Sequence, residues 1–164
     1  MRVRRATSGD AAGIAAGMKV VVDEGRWLAT RRATTEAELR ERFDGAIAGG
    51  DLILVLEDGS RIVGCTGLRP TRIDGVWSLG TWLLPELRGR GHGRALLDAA
   101  LAGAVRAGVR KVELEAFTDN DAAISLYAAA GFEIEGTGRD RPPRDDGSVE
   151  PAVIMAWFPP EEGR

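Results

Sequence analysis

Cysteine is almost absent. Cys65 is the only one in 164 residues and lies in an apolar run, so the chain can build neither an internal disulfide nor a cysteine-based zinc site. That usage fits a reduced, cytoplasmic protein. His92 is the single histidine, so no cluster of metal ligands supports a metal site, and none is expected. No run of about 18 apolar residues occurs, the usual minimum for a spanning helix, and Met1-Arg2-Val3-Arg4-Arg5 leads into no apolar signal stretch. Neither a membrane partner nor secretion is expected. An excess of positive charge is also missing. The 22 lysines and arginines against 25 aspartates and glutamates give a net charge of -3, which argues against a broad nucleic-acid surface. Without a basic stripe, the four tryptophans read as core or cleft wall rather than as a stacking platform.

What is present is 44% apolar sequence in a chain long enough for one sizeable core and too short for two ordinary domains. A single domain over residues 1–164 is expected, with 159–164 as a frayed tail. Val3 marks a short opening strand. Ser8 or Asp10 can then cap a helix with Ile14, Met18, Val21 and Val22 on one face, and Thr35 with Glu38 has capping-box spacing before Leu39, Phe43 and Ile47. Gly49-Gly50 should stop this second helix, and Leu52-Ile53-Leu54-Val55-Leu56 reads as a buried strand. The turns Asp58-Gly59 and Asp74-Gly75 separate it from strands over about 61–68 and 76–84, which gives an antiparallel meander. The pattern then changes. Residues 93–107 carry Leu96, Leu97, Ala100, Leu101 and Val105, an almost wholly apolar helix closed by Gly108. Val112, Leu114 and Ala116 alternate with Lys111, Glu113 and Glu115 in a fifth strand reached by this helical crossover, hence parallel to the fourth. A short helix over 121–130 and strands near 132–136 and 152–157 complete the order.

The segment Arg88-Gly89-Arg90-Gly91-His92-Gly93-Arg94 lies between the fourth strand and the buried helix. Three glycines in five residues let backbone N–H groups converge on an anion, the helix N-terminus adds partial positive charge, and the three arginines add full charges. A pyrophosphate suits this chemistry, because any β-carbon would block its approach to the main chain. The alternative is a solvated glycine turn. A P-loop is excluded, since neither Lys19 nor Lys111 is in the segment. A dinucleotide fingerprint lacks its third glycine where Arg94 and Ala95 stand, and a meander precedes the loop instead of alternating strands and helices.

These residues resemble the GNAT superfamily of acyl-CoA-dependent N-acetyltransferases, whose hallmark is Arg/Gln-x-x-Gly-x-Gly/Ala after the fourth strand. Arg88-Gly89-Arg90-Gly91-His92-Gly93 matches every fixed position, and Leu114-Glu115, Asn120, Ala123, Leu126, Tyr127 and Gly131-Phe132 follow at the family's distance. The resemblance implies an α/β (α+β) fold with a mainly antiparallel mixed sheet of about seven strands, a parallel, splayed strand 4/strand 5 pair, and about four helices. Acetyl-CoA is the implied cosubstrate, with its pantetheine arm inserted between the splayed strands.

Carried over residue by residue, the resemblance implies that Arg88, Gly89, Arg90, Gly91, His92, Gly93 and Arg94 hold the pyrophosphate, mainly through backbone N–H groups. Leu83 and Leu84 pair with pantetheine through their main chains, and an N–H there polarises the thioester carbonyl. Asn120 matches the asparagine that hydrogen-bonds the cofactor arm, its alternative role being a helix cap. Tyr127 matches the general acid for the departing thiolate, its alternative being a packed core aromatic. Glu115 looks like the base of the ribosomal-protein alanine acetyltransferases. Glu113 shares its face by strand alternation, and a water-relayed base is the third option. The implied function is acetyl transfer to a primary amine of a small molecule or peptide, with residues 23–32 and 138–150 facing the acceptor. The competing reading is a non-catalytic coenzyme A-binding sensor or partner module. A homodimer is compatible with the resemblance.

Overall fold

The computed structural model describes residues 1–28, 33–48, 50–139, 143–144 and 146–160. Parts of the two expected acceptor-facing segments and the end of the expected tail lie outside these residues, as does the side chain of Ile47. Along the chain run β1 (Arg2–Arg5), α1 (Ala11–Asp23), α2 (Glu36–Ala48), β2 (Leu52–Asp58), β3 (Arg61–Pro70), β4 (Val76–Leu83), α3 (His92–Arg106), β5 (Lys111–Phe117), α4 (Asp121–Ala129), β6 (Glu133–Gly138) and β7 (Ala152–Trp157). All seven strands belong to one sheet in the order β1-β2-β3-β4-β5-β7-β6. Every neighbouring pair is antiparallel except β4 and β5, which are parallel, as the crossover helix requires. The mixed sheet and four helices match the expected fold class.

Local chemistry sets the element ends. Asp10, one of the two expected caps, is the N-cap residue of α1, but its side chain makes no bond to the helix and instead accepts from Thr7 N–H at 2.7 Å across the preceding 3-10 turn over Ser8–Asp10. The α2 capping box forms as its spacing predicts: Thr35 N–H donates to Glu38 Oε2 at 2.8 Å and Glu38 N–H to Thr35 Oγ1 at 3.2 Å. α3 buries Leu96, Leu97, Ala100, Leu101 and Ala104, each leucine being worth roughly 2 kcal/mol of apolar burial. Val105, expected on this face, stands outside at 40% exposure.

Two apolar clusters cover the two faces. On one, Leu97, Leu101 and Tyr127 from α3 and α4 pack on Leu79, Val112, Leu114 and Ala116. On the other, Ile14, Val21 and Phe43 from α1 and α2 pack with Val55, Cys65 and Trp82. α1 approaches the sheet so closely that a β-carbon on Gly17 would come within 2.4 Å of the Trp82 ring. Among the described residues, no helix is long and apolar enough to cross a membrane.

Candidate active site

β4 and β5 are registered through only three pairs, Val76↔Lys111, Trp77↔Val112 and Ser78↔Glu113. Beyond these, β4 stays paired with β3 as far as Leu83, and β5 stays paired with β7 as far as Phe117. The strands therefore diverge from each other while each remains held on its outer side, and an opening runs through the middle of the sheet.

Main-chain polarity along this opening follows from one hydrogen bond. Leu84 N–H donates to Val63 O at 3.0 Å, and bonded pairs alternate along an antiparallel ladder. Trp82 and Gly80 thus turn their main-chain groups toward β3, whereas Leu83, Thr81 and Leu79 turn theirs toward the opening. This corrects the expectation for Leu84. Its N–H is engaged by Val63, its carbonyl accepts from Leu87 N–H at 3.0 Å, and its side chain is fully buried. Two-residue alternation from Leu83 would have pointed to Thr81 instead.

At the mouth of the opening, Gly89 (φ +72°) and Gly91 (φ +83°) hold left-handed conformations that favour glycine, and an added β-carbon on either would point into open space. Gly91 is the N-cap of α3, with His92 as the first helical residue. The loop main chain is accordingly open to a ligand at a helix N-terminus, as its composition predicts. The arginines are arranged otherwise. Arg88 makes a bidentate pair with Glu24 at 2.6 and 2.8 Å and donates to Leu83 O from Nε (3.1 Å) and Nη2 (3.0 Å). Arg94 donates to Asp98 at 2.7 Å and to Ala129 O at 3.1 Å, joining α3 to α4. Of the three expected anion-binding charges, two are spent within the protein. Arg90 is exposed.

Asn120 caps α4, its Oδ1 accepting from Ala123 N–H at 3.2 Å. The cap role that was weighed against cofactor binding is thus present, and it leaves the side-chain NH2 uncommitted by that bond. Tyr127 is 7% exposed and packs against Phe132 with ring centroids 5.7 Å apart. Burial pushes its phenol up to about 12, so it stays protonated across the neutral range.

On the opposite face a cleft of about 1250 Å³ lies between the sheet and α1 and α2, and Glu113 and Glu115 both line it. Tyr127 belongs to the α3/α4 side with Leu114 and Ala116, so the sheet separates it from the two glutamates, and the opening is the direct route between them. Glu115 is exposed to the cleft; Glu113 is half-buried, with Lys111 Nζ at 3.8 Å. Cys65 also lines the cleft, its thiol pushed up to about 12 by burial.

A feature not expected from the sequence closes the end of β5. Asp119 pairs bidentately with Arg144 at 2.7 and 2.8 Å and lies 3.6 Å from Arg26, while the Arg144 guanidinium sits 5.0 Å over the Phe117 ring. Arg144 holds the Asp119 carboxyl below its ordinary value. One carboxylate thereby ties the segment after α1 to the segment between β6 and β7. The abundance of Arg and Asp in residues 139–146 hinted at ion pairing, but no spacing identifies a partner 25 residues away.

A family model described as "Acetyltransferase (GNAT) family" matches residues 21–132. A mycothiol acetyltransferase from Geodermatophilus obscurus is 35% identical over 116 residues, covering 67% of this chain and 35% of that protein. The [ribosomal protein bS18]-alanine N-acetyltransferase of Escherichia coli K12 is 39% identical over 72 residues, covering 44% and 48%. The matches thus span between a third and a half of these relatives' lengths. A structure of a putative acetyltransferase from Salmonella typhimurium, solved with its cofactor acetyl-CoA, superposes with a TM-score of 0.89 at 20% identity, covering 100% of this chain and 96% of that one.

Proposed function

Because the chain belongs to the GNAT acetyltransferase family, we propose that it transfers an acetyl group from acetyl-CoA to a primary amine of a small molecule or peptide by direct attack. The observation that carries this reading is the opening between β4 and β5, with a glycine loop and helix N-terminus on one side and a carboxylate-lined cleft on the other. Acetyl-CoA, when bound, supplies an acetyl group activated as a thioester. The open β-carbon positions of Gly89 and Gly91 fit the close approach of a pyrophosphate to the backbone of residues 88–94. Here the main chain does the binding. Arg88, tied to Glu24 and to Leu83 O, shapes the end of β4.

Leu83 N–H, facing the opening, can polarise a carbonyl placed there. Asn120 can direct its free NH2 toward an amide arm. On the cleft side, Glu115 takes the proton from the attacking amine, with Glu113 or a relayed water as its competitors. On the far side, Tyr127 holds the proton that a departing thiolate needs, and its raised pKa keeps that proton in place at neutral pH. We take residues 1–164 as one catalytic domain acting in the cytoplasm.

The test is release of coenzyme A thiol from acetyl-CoA across a panel of amines, amino acids and peptides. Glu115→Gln should slow transfer most at low pH, where unassisted deprotonation of the amine is scarcest, with acetyl-CoA affinity unchanged. A pH–rate profile identical to the parent moves the base to Glu113 or water. Acetyl-CoA binding without thiol release for any acceptor favours the sensor reading.

A further inference from the structure

The cleft that receives the acceptor contains two guanidinium groups that the proposed chemistry does not use. Arg69, near the end of β3, and Arg42, on α2, both line it. Neither makes a hydrogen bond or ion pair with another described residue, whereas Arg4, Arg40, Arg88, Arg94 and Arg144 each pair with a carboxylate. Asp51, which also lines the cleft, feels the charge of Arg69 but forms no ion pair with it among the described residues; burial raises the Asp51 carboxyl. A lone surface arginine needs no explanation. Two that line the same cleft as Asp51, Glu113 and Glu115 leave unpaired positive charge there for a ligand to fill.

Strand register locates this position relative to the chemistry. Arg69 is the partner of Ser78, which in turn is the partner of Glu113. One side-chain repeat further along, toward the opening, Gly67 and Gly80 are paired on β3 and β4. An added β-carbon on either would meet nothing within 4 Å, so the floor between Arg69 and the opening is a trough free of side chains. From the Arg69 Cα to the Gly80 Cα is about 8 Å, one strand spacing across and one two-residue step along. An arginine side chain spans most of that distance. Over the trough stand Ile14, Met18, Leu39 and Phe43, which suit an apolar body.

Resting on the acetyltransferase reading above, we propose that the acceptor is a primary amine that also bears a carboxylate, with an apolar body in the trough and its carboxylate held by Arg69 and Arg42. A guanidinium matches a carboxylate through two parallel N–H···O bonds, which an ammonium or a neutral amide cannot reproduce. The amine end then faces the opening and Glu115.

Initial rates should be compared for L-leucine, L-methionine and L-phenylalanine, each against its own carboxamide, with each rate referred to the concentration of unprotonated amine because the carboxamide's α-amine is the weaker base. The parent enzyme should favour the acids by about tenfold or more in kcat/KM, the usual worth of a charge-assisted pair. In Arg69→Gln, and again in Arg42→Gln, that ratio should fall toward one through a higher KM for the acids. Melting temperature and acetyl-CoA affinity should stay at parent values, because neither guanidinium supports the fold. Amides that match the acids in the parent, or a ratio that survives both substitutions, would overturn the proposal. If no amine is acetylated, calorimetric binding of each acid and amide to the coenzyme A complex reads the same preference, so failure of transfer and failure of carboxylate recognition are distinguishable.

Discussion

A single hydroxyl oxygen distinguishes the two roles open to Tyr127. Its ring is committed to the core beside Phe132, whereas its oxygen makes no hydrogen bond with another described residue. Tyr127→Phe therefore removes no structural bond and preserves the packing. Turnover should fall by roughly 10²-fold, the usual contribution of a positioned acid, with melting temperature and acetyl-CoA affinity unchanged. Retained turnover with earlier melting would make Tyr127 a structural residue. At this scale the sequence was legible where backbone conformation dictates the residue, as at Gly89 and Gly91, while the roles of Asn120 and Tyr127 belong to the proposed reading. It was not legible for Arg88. The partner that withdraws this charge from the anion site, Glu24, lies 64 residues away, and no local pattern records such a pair.

Among the elements, apolar periodicity together with caps and turn residues located four helices and seven strands to within a few residues, because each is set locally. Strand order was less accessible. β7 enters between β5 and β6, a pairing decided by contacts far apart in sequence. The Asp119 link is of the same kind and can be measured as such. Asp119→Asn keeps the side-chain shape and removes the charge, which leaves the mostly buried Arg144 guanidinium with weaker partners. Chemical denaturation should show a loss of about 1–3 kcal/mol. A change within about 0.5 kcal/mol would mean that solvent already screens the pair.

For the molecule as a whole, acid sensitivity should follow from one cluster at the edge of the sheet. Arg4 on β1 donates to Asp10 at 2.7 and 2.8 Å and to Glu57 at 2.9 Å, fastening the edge strand to β2 and to the turn that opens α1. Hydrogen bonds from Arg4 hold the Asp10 carboxyl at about 2, against an ordinary value of 3.8. A carboxyl depressed on folding stabilises the folded state fully above its unfolded pKa and loses that contribution as pH falls through its folded one. The parent should therefore exceed Asp10→Asn in stability by about 2 kcal/mol near neutrality, with the difference shrinking between about pH 4 and pH 2. A difference independent of pH over that window would assign the effect to the cap at Thr7 instead.

The opening in the sheet also makes the protein a two-sided device. A sheet ordinarily serves as a wall, and here the wall has a window bordered by strands that are each anchored on the outer side. Under the proposed reading the bulky nucleotide carrier comes to one sill and the amine to the other, and only the acetyl group passes through. Neither has to leave for the other to arrive. Changes to the cleft can therefore alter which amine is accepted while the carrier's side stays as it is.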